Sequence, residues 1–128
     1  MRARKHSRLV AGLSVLVLTA CDLGPSGPGT VTGSVTGDAA LGAVVLDVTW
    51  PGVAGFEGRG STQVYSAPVT DSPDRYRVVL VSPTGGDLPF AIAVDDAYLQ
   101  SPVVTVVEAA GIDNLPMSVA GLRVVLER

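Results

Sequence analysis

Two pairs of carboxylates are the residues whose types and spacing could perform chemistry. Asp71 and Asp74 flank a Ser-Pro dipeptide, and Asp95 and Asp96 are adjacent. Paired carboxylates can act as general acid and base in glycoside hydrolysis, and clustered loop oxygens can hold Ca²⁺. However, Asp-Ser-Pro-Asp is typical of a turn, and the sequence has no Asp-x-Asp-x-Asp ladder. We therefore expect solvated turn acids at these four positions, with a Ca²⁺ site as the alternative.

The single cysteine, Cys21, is the other side chain with reactive potential. Four basic residues lie in the first eight positions, and an apolar run over 9–18 follows them. A run of about ten residues is too short to span a bilayer, which needs about 20. A basic segment before a short apolar core is typical of a secretory signal peptide. We therefore predict an N-terminal signal helix within residues 1–20.

The end of this segment is Leu18-Thr19-Ala20-Cys21, which resembles the lipobox of bacterial lipoproteins. The resemblance implies that the Cys21 thiol receives a diacylglyceryl group and that a signal peptidase cleaves between Ala20 and Cys21. It also implies acylation of the new amino group. Two or three acyl chains, at about 0.8 kcal/mol per buried methylene, form a stable membrane anchor. The alternative is an ordinary signal peptide followed by an unmodified cysteine.

Removal of residues 1–20 changes the charge balance. The whole chain has a formal net charge of −3, whereas residues 21–128 contain five arginines, 12 acids, no lysine and no histidine, a formal charge of −7. An acidic surface repels nucleic acid and anionic headgroups. The usual catalytic bases and nucleophile activators are absent as well. The sequence therefore predicts no cofactor, no nucleic-acid partner and no enzymatic activity.

The remainder of the chain divides into a tether and one domain. Residues 21–30 combine Cys21 with a Gly/Pro/Ser-rich stretch, a composition typical of a flexible linker. Over 31–128, apolar and polar residues alternate in short runs bounded by turn residues. This pattern predicts strands at 31–35, 43–50, 62–66, 75–81, 90–94, 103–107 and 122–127, and a glycine-rich loop at 55–60. Seven strands predict an all-β antiparallel sandwich, with a small barrel as the alternative.

Two of these segments carry a further likeness. A Gly-Ala-x-x-x-Asp strand starts at Gly42 and is followed by Pro51-Gly52, and an Arg-led strand at 77–81 precedes a glycine turn and a strand led by Phe90. Over residues 30–127 this order resembles cohesin-like and immunoglobulin-like β-sandwiches. The resemblance implies a sandwich fold and, in some cohesin-like members, a Ca²⁺ site. A likeness of fold does not specify a function.

The few aromatic residues divide between core and surface. Trp50, Tyr76 and Phe90 are in phase with apolar neighbours, which predicts that they lie in the core. Phe56 and Tyr98 lie in predicted loops and are the candidate ligand contacts.

We accordingly expect a lipid-anchored extracytoplasmic protein, held at the cell membrane or outer membrane by acyl chains on Cys21, with a binding or structural role. The expected partner is an envelope protein, contacted by the loops opposite the tether. The alternative is a carbohydrate-binding accessory module that binds an envelope polysaccharide.

Overall fold

The computed structural model describes residues 27–98 and 102–128, which form nine β-strands and no helix. Neither range contains a helix long and apolar enough to cross a membrane. The predicted signal helix, Ala20, Cys21 and the first part of the predicted tether lie outside the described residues. The strands are β1 Gly29–Thr36, β2 Leu41–Thr49, β3 Val53–Gly58, β4 Gln63–Pro68, β5 Arg75–Val81, β6 Leu88–Val94, β7 Val103–Gly111, β8 Pro116–Met117 and β9 Arg123–Glu127.

The strands form two antiparallel sheets that pack face to face, so the predicted all-β sandwich is confirmed. Sheet A has the order β3-β6-β1-β9, and sheet B has the order β4-β5-β2-β7-β8. Buried and less buried side chains alternate along β2, so one face of sheet B lies against the core. Val44, Leu46 and Val48 are buried, and the residues between them are not. The buried apolar residues of both sheets are Val31, Val35, Leu41, Val44, Leu46, Val48, Trp50, Val78, Leu80, Leu88, Phe90, Ala91, Ile92, Val94 and Ala109.

Two strands lie outside the seven predicted ones. The predicted loop at 55–60 is wrong over most of its length, because β3 pairs antiparallel with β6 there. Its glycines are typical of a loop, but a half-exposed edge strand tolerates them, and Val53 and Phe56 pack against the core. Strand β8 has only two residues and is too short to show an alternating pattern.

The sandwich has two ends, which carry different parts of the chain. We call the end at which the chain enters the domain the first end. There, the amide of Ala97 donates to the carbonyl oxygen of Gly27 at 3.1 Å, and the amide of Asp95 donates to the carbonyl oxygen of Gly52 at 2.8 Å. Strand β1 begins at Gly29, two residues before the predicted domain start. The other end, which we call the distal end, carries the connections 37–40, 59–62, 82–87, 112–115 and 118–122. The chain therefore enters the domain opposite the distal end.

Candidate functional site

An apolar groove with a volume of about 630 Å³ lies on the distal half of sheet B. Its lining includes Ala43, Val45 and Ala110, which alternate with the buried positions of β2 and β7, and no residue of sheet A. The groove therefore opens on the outer face of sheet B, although the core residues Val44 and Ala109 also contribute to its lining. It is lined by Ala43, Val44, Val45, Val107, Glu108, Ala109, Ala110, Asn114, Pro116, Met117, Ser118 and Val119. We call this surface the sheet B groove.

A β-bulge in β7 shapes the floor of the sheet B groove. Val45 of β2 pairs with Glu108, but the next residue, Leu46, pairs with Val106, so Val107 is an extra residue in the ladder. Because of this extra residue, Val106 and Ala109 both pack in the core although they are three positions apart. Val107 and Glu108 both line the groove. β7 continues to Gly111, beyond the predicted end at residue 107, because residues 108–111 pair with β2 and Ala109 and Ala110 also pair with β8.

A second irregularity brings β2 and the end of β7 close together. The ladder shifts between Leu41 and Ala43, so Gly42 is the extra residue. A Cβ atom at Gly42 would collide with the carbonyl oxygen of Gly111, and it would lie 2.8 Å from the carbonyl carbon of the same residue. Only glycine fits this approach without displacing the β7–β8 hairpin, which forms one wall of the groove.

The tip of the β7–β8 hairpin extends the apolar surface beyond the groove. Ile112 is 60% exposed and Leu115 is 63% exposed. The tip is held by hydrogen bonds from the amide of Gly111 to the Leu115 carbonyl and from the amide of Leu115 to Oδ1 of Asp113, both at 3.0 Å. Large aliphatic side chains on a braced turn are available for contact with a partner.

The charged part of the outer face lies on the half of sheet B nearer the first end. Both oxygens of Asp47 accept hydrogen bonds, from Nη2 of Arg75 at 2.8 Å and from Nε of Arg77 at 3.0 Å. The hydrogen bond from Arg75, helped by the charges of both guanidinium groups, lowers the pKa of the Asp47 carboxyl, and desolvation opposes this only partly. The arrangement is a structural ion pair between β2 and β5.

The predicted carboxylate pairs lie in turns at the first end of the sandwich. Asp71 and Asp74 both have positive φ, at 59° and 64°. Two successive turns contain them, because the amide of Ser72 donates to Val69 and the amide of Arg75 donates to Ser72. The expected turn at 71–74 is thus displaced by one residue: Pro73 takes the second position and Asp74 the third, where positive φ suits Asp better than most residues.

The residues of the second carboxylate pair, Asp95 and Asp96, also form hydrogen bonds with nearby backbone groups. The amide of Asp95 donates to the carbonyl of Gly52, and Oδ1 of Asp96 accepts a hydrogen bond from the amide of Tyr98 at 3.0 Å. Across residues 27–98 and 102–128, no three acidic, histidine or cysteine side chains are grouped as metal ligands.

The two candidate aromatic contacts differ in their surroundings. Phe56 lies in β3 rather than in a loop, and its ring meets Tyr76 edge-on with centroids 5.5 Å apart. Phe56 is therefore partly buried against the core. Tyr98 is 59% exposed in the connection after β6. Of the predicted pair, only Tyr98 presents a largely exposed ring.

No sequence pattern predicts the sheet B groove. Most of its lining residues are small or aliphatic, and the polar ones, such as Glu108 and Asn114, form no catalytic pattern, so no motif marks the groove. The one available signal was the β-branched run at 103–107, followed by Glu108, two alanines and a glycine.

The fold and the groove together define an all-β sandwich with an apolar groove on the distal half of one outer face. No protein-family model matches the chain, no curated protein matches it, and no solved structure matches it. The resemblances to bacterial lipoproteins and to cohesin-like sandwiches therefore stay predictions.

Proposed function

We propose that this protein is a lipid-anchored extracytoplasmic module that binds a protein partner of the cell envelope through the sheet B groove and the adjoining hairpin tip. The anchor in this proposal is the acylated Cys21, and residues 22–26 link it to the domain. The proposed role is binding or structural support, without catalysis.

The observation that carries the proposal is the position of the apolar surface relative to the chain's entry. Gly27 lies at the first end of the sandwich, whereas Leu115 and Val119 lie at the distal end. A domain anchored through residues before Gly27 can turn its distal end away from the bilayer. Because apolar surface of this kind costs free energy when it faces water, a contiguous apolar groove and tip are typical of a protein contact.

Site-specific photocrosslinking in cells tests the binding role. A benzophenone amino acid at Val119, beside the groove, should capture an envelope protein as a discrete adduct. The same residue at Val125, which is 48% exposed on β9 of sheet A, is the matched control and should give little or none of that adduct. Equal capture from both positions, or no adduct from Val119, would contradict the assignment of the groove.

The anchor requires a separate test. The variant Cys21→Ser should block lipid attachment and processing, so the protein should no longer incorporate labelled palmitate and should keep residues 1–20. The control Ser26→Ala removes a hydroxyl from the same segment and should leave labelling and processing unchanged. Unaltered palmitate labelling of Cys21→Ser would overturn the lipoprotein part of the proposal, whatever the crosslinking result.

A further inference from the structure

The outer edge of β7 is open over most of its length. β7 pairs with β2 from Val103 to Gly111, but on its other side β8 covers only Ala109 and Ala110. No other described strand pairs with the stretch 103–108. Val103 is 64% exposed, and Thr105 is exposed as well. The backbone groups on this side of β7 are therefore available to another strand. We call this stretch the β7 edge.

We propose that the β7 edge binds an extended segment of a partner protein, which adds a strand to sheet B and places alternate side chains in the sheet B groove. This inference rests on the proposed function, because it specifies how the partner is bound. Strand addition supplies affinity through main-chain hydrogen bonds, and pockets for alternate side chains supply specificity.

The other three long edge strands are protected against strand addition, and the β7 edge is not. β3 carries two glycines and Glu57, β4 ends in Pro68, and β9 has Arg123 and Glu127 at its two ends. Charges, prolines and irregularities are the usual means by which edges avoid pairing with other chains. The run Val-Val-Thr-Val at 103–106 contains none of these features, which occur in β7 only at the bulge residue Val107 and at Glu108. All four residues of this run are β-branched, which favours an extended strand that another strand can join.

The sheet B groove lies where an added strand would direct its side chains. Side chains alternate between the two faces of a sheet, so every second residue of the partner segment would point to the outer face. At the bulge, Val107 and Glu108 belong both to the β7 edge and to the groove lining, and Pro116, which pairs with Ala110 of β7, lines the groove beside them. The segment should therefore carry aliphatic side chains at alternate positions.

Charge selects the partner further. Glu108 is exposed at the end of the β7 edge and forms no ion pair with the described residues. Residues 21–128 have an excess of seven acids over bases. A basic residue in the partner segment, placed opposite Glu108, would relieve this unbalanced charge. The structure thus fits a short extended segment, aliphatic at alternate positions and with a lysine or arginine at one end.

A second copy of this chain fits the β7 edge less well. Two copies joined through antiparallel β7 strands would be related by a two-fold axis perpendicular to the sheet. Their Gly27 residues would then lie at opposite ends of the dimer, which prevents two short tethers from reaching the same bilayer. Both copies would also carry the same acidic excess.

Hydrogen exchange with a synthetic peptide tests the inference on the full chain in non-ionic detergent. The probe is acetyl-Lys-Thr-Val-Thr-Val-Thr-amide, in which the lysine and both valines share one face. At a peptide concentration ten times its Kd, exchange of amides in 103–108 should slow about tenfold, and amides in β3, β4 and β9 should be unaffected. The control peptide has the same side chains with alternate amides N-methylated, made in both registers. In at least one register the N-methylated peptide should fail to bind, because the methylated edge of the peptide can no longer form ladder hydrogen bonds with β7.

Three protein variants, one of them a control, sharpen the test. Thr105→Lys places a charge on the β7 edge and should abolish protection, whereas Gln63→Lys makes the same charge change on the exposed edge strand β4 and should not. Glu108→Gln should weaken binding of the lysine peptide about two- to fivefold and leave unchanged the binding of a peptide with glutamine in place of lysine. Trp50 fluorescence under urea checks that each variant is folded.

The outcomes separate this inference from the proposed function. Failure of the peptide to protect 103–108, or equal binding by the N-methylated peptides in both registers, overturns strand addition. Protection of 103–108 that rises with protein concentration without peptide also overturns it, because a second copy then occupies the edge. In each case, crosslinking from Val119 can still succeed, which would leave the proposed binding role intact.

Discussion

Nη2 of Arg75 lies 2.8 Å from Oδ2 of Asp47, and this contact joins the neighbouring strands β5 and β2 on the outer face of sheet B. Arg77 holds the other carboxylate oxygen at 3.0 Å. The Asp47 side chain is 19% exposed, whereas both arginine side chains are more than 40% exposed. The carboxylate is therefore enclosed by its partners. The pairing also explains why two of the five arginines outside the signal segment stand two residues apart on one strand.

The ion pair predicts an acid-dependent loss of stability. The pKa of Asp47 is lower in the folded protein than its ordinary value of 3.8, so the carboxylate stabilises the fold above that value. The stabilisation is lost as the pH falls through the folded-state pKa. Urea unfolding of the wild type and Asp47→Asn, followed by Trp50 fluorescence from pH 5 downwards, should show the two free energies of unfolding converging as the pH falls. A gap independent of pH would contradict the assignment.

Gly42 provides a test of the geometry beside the groove. The variant Gly42→Ala should lower the free energy of unfolding by about 2 kcal/mol, because its methyl group overlaps the backbone of Gly111. The matched control is Gly55→Ala, also at a ladder irregularity in a strand, where an added Cβ meets nothing within 4 Å. That variant should be neutral or slightly stabilising. Chemical denaturation of the two variants decides the point, and equal losses would mean that the close approach is not real.

The sequence predicted the fold more fully than it predicted the candidate site. In β2 and β5, alternation is strong because one face is buried and the other is not, so the strands at 43–50 and 75–81 were found. β3 was missed because its glycines also fit a loop. Its pairing depends on β6, more than 30 residues further along the chain. Such non-local pairing leaves no local signal.

The groove and the β7 edge could not be predicted for a related reason. Both depend on a one-residue register shift at Val107 and on the shortness of β8. A bulge changes which residues share a face, but the composition of the run is the same with or without it. The acids at 71 and 74, by contrast, were correctly expected in turns, because Asp and Pro determine turn geometry locally.

Removal of the buried hydroxyl of Thr62 should increase the free energy of unfolding. The residue is only 7% exposed, and its Oγ1 atom has no hydrogen-bond partner among the described residues. Burial of an unpartnered hydroxyl is unfavourable. Thr62→Val should therefore raise the free energy of unfolding by about 1 kcal/mol. Thr62→Ser keeps the hydroxyl and loses a methyl group, so it should lower stability by about 0.8 kcal/mol. A loss for the valine variant in urea unfolding would indicate that Oγ1 has a partner.

Leu115 allows the binding role to be separated from the fold. Its side chain is 63% exposed at the hairpin tip, so Leu115→Ser should change the free energy of unfolding by no more than about 0.5 kcal/mol. If the tip contacts a partner, the same variant should sharply reduce the adduct formed by the benzophenone residue at Val119. Val125→Ser removes an exposed aliphatic side chain from sheet A and should leave the adduct intact. Denaturation curves and adduct yields from the two variants are the measurements. Undiminished capture by Leu115→Ser would exclude the hairpin tip from the interface and confine the contact to the groove.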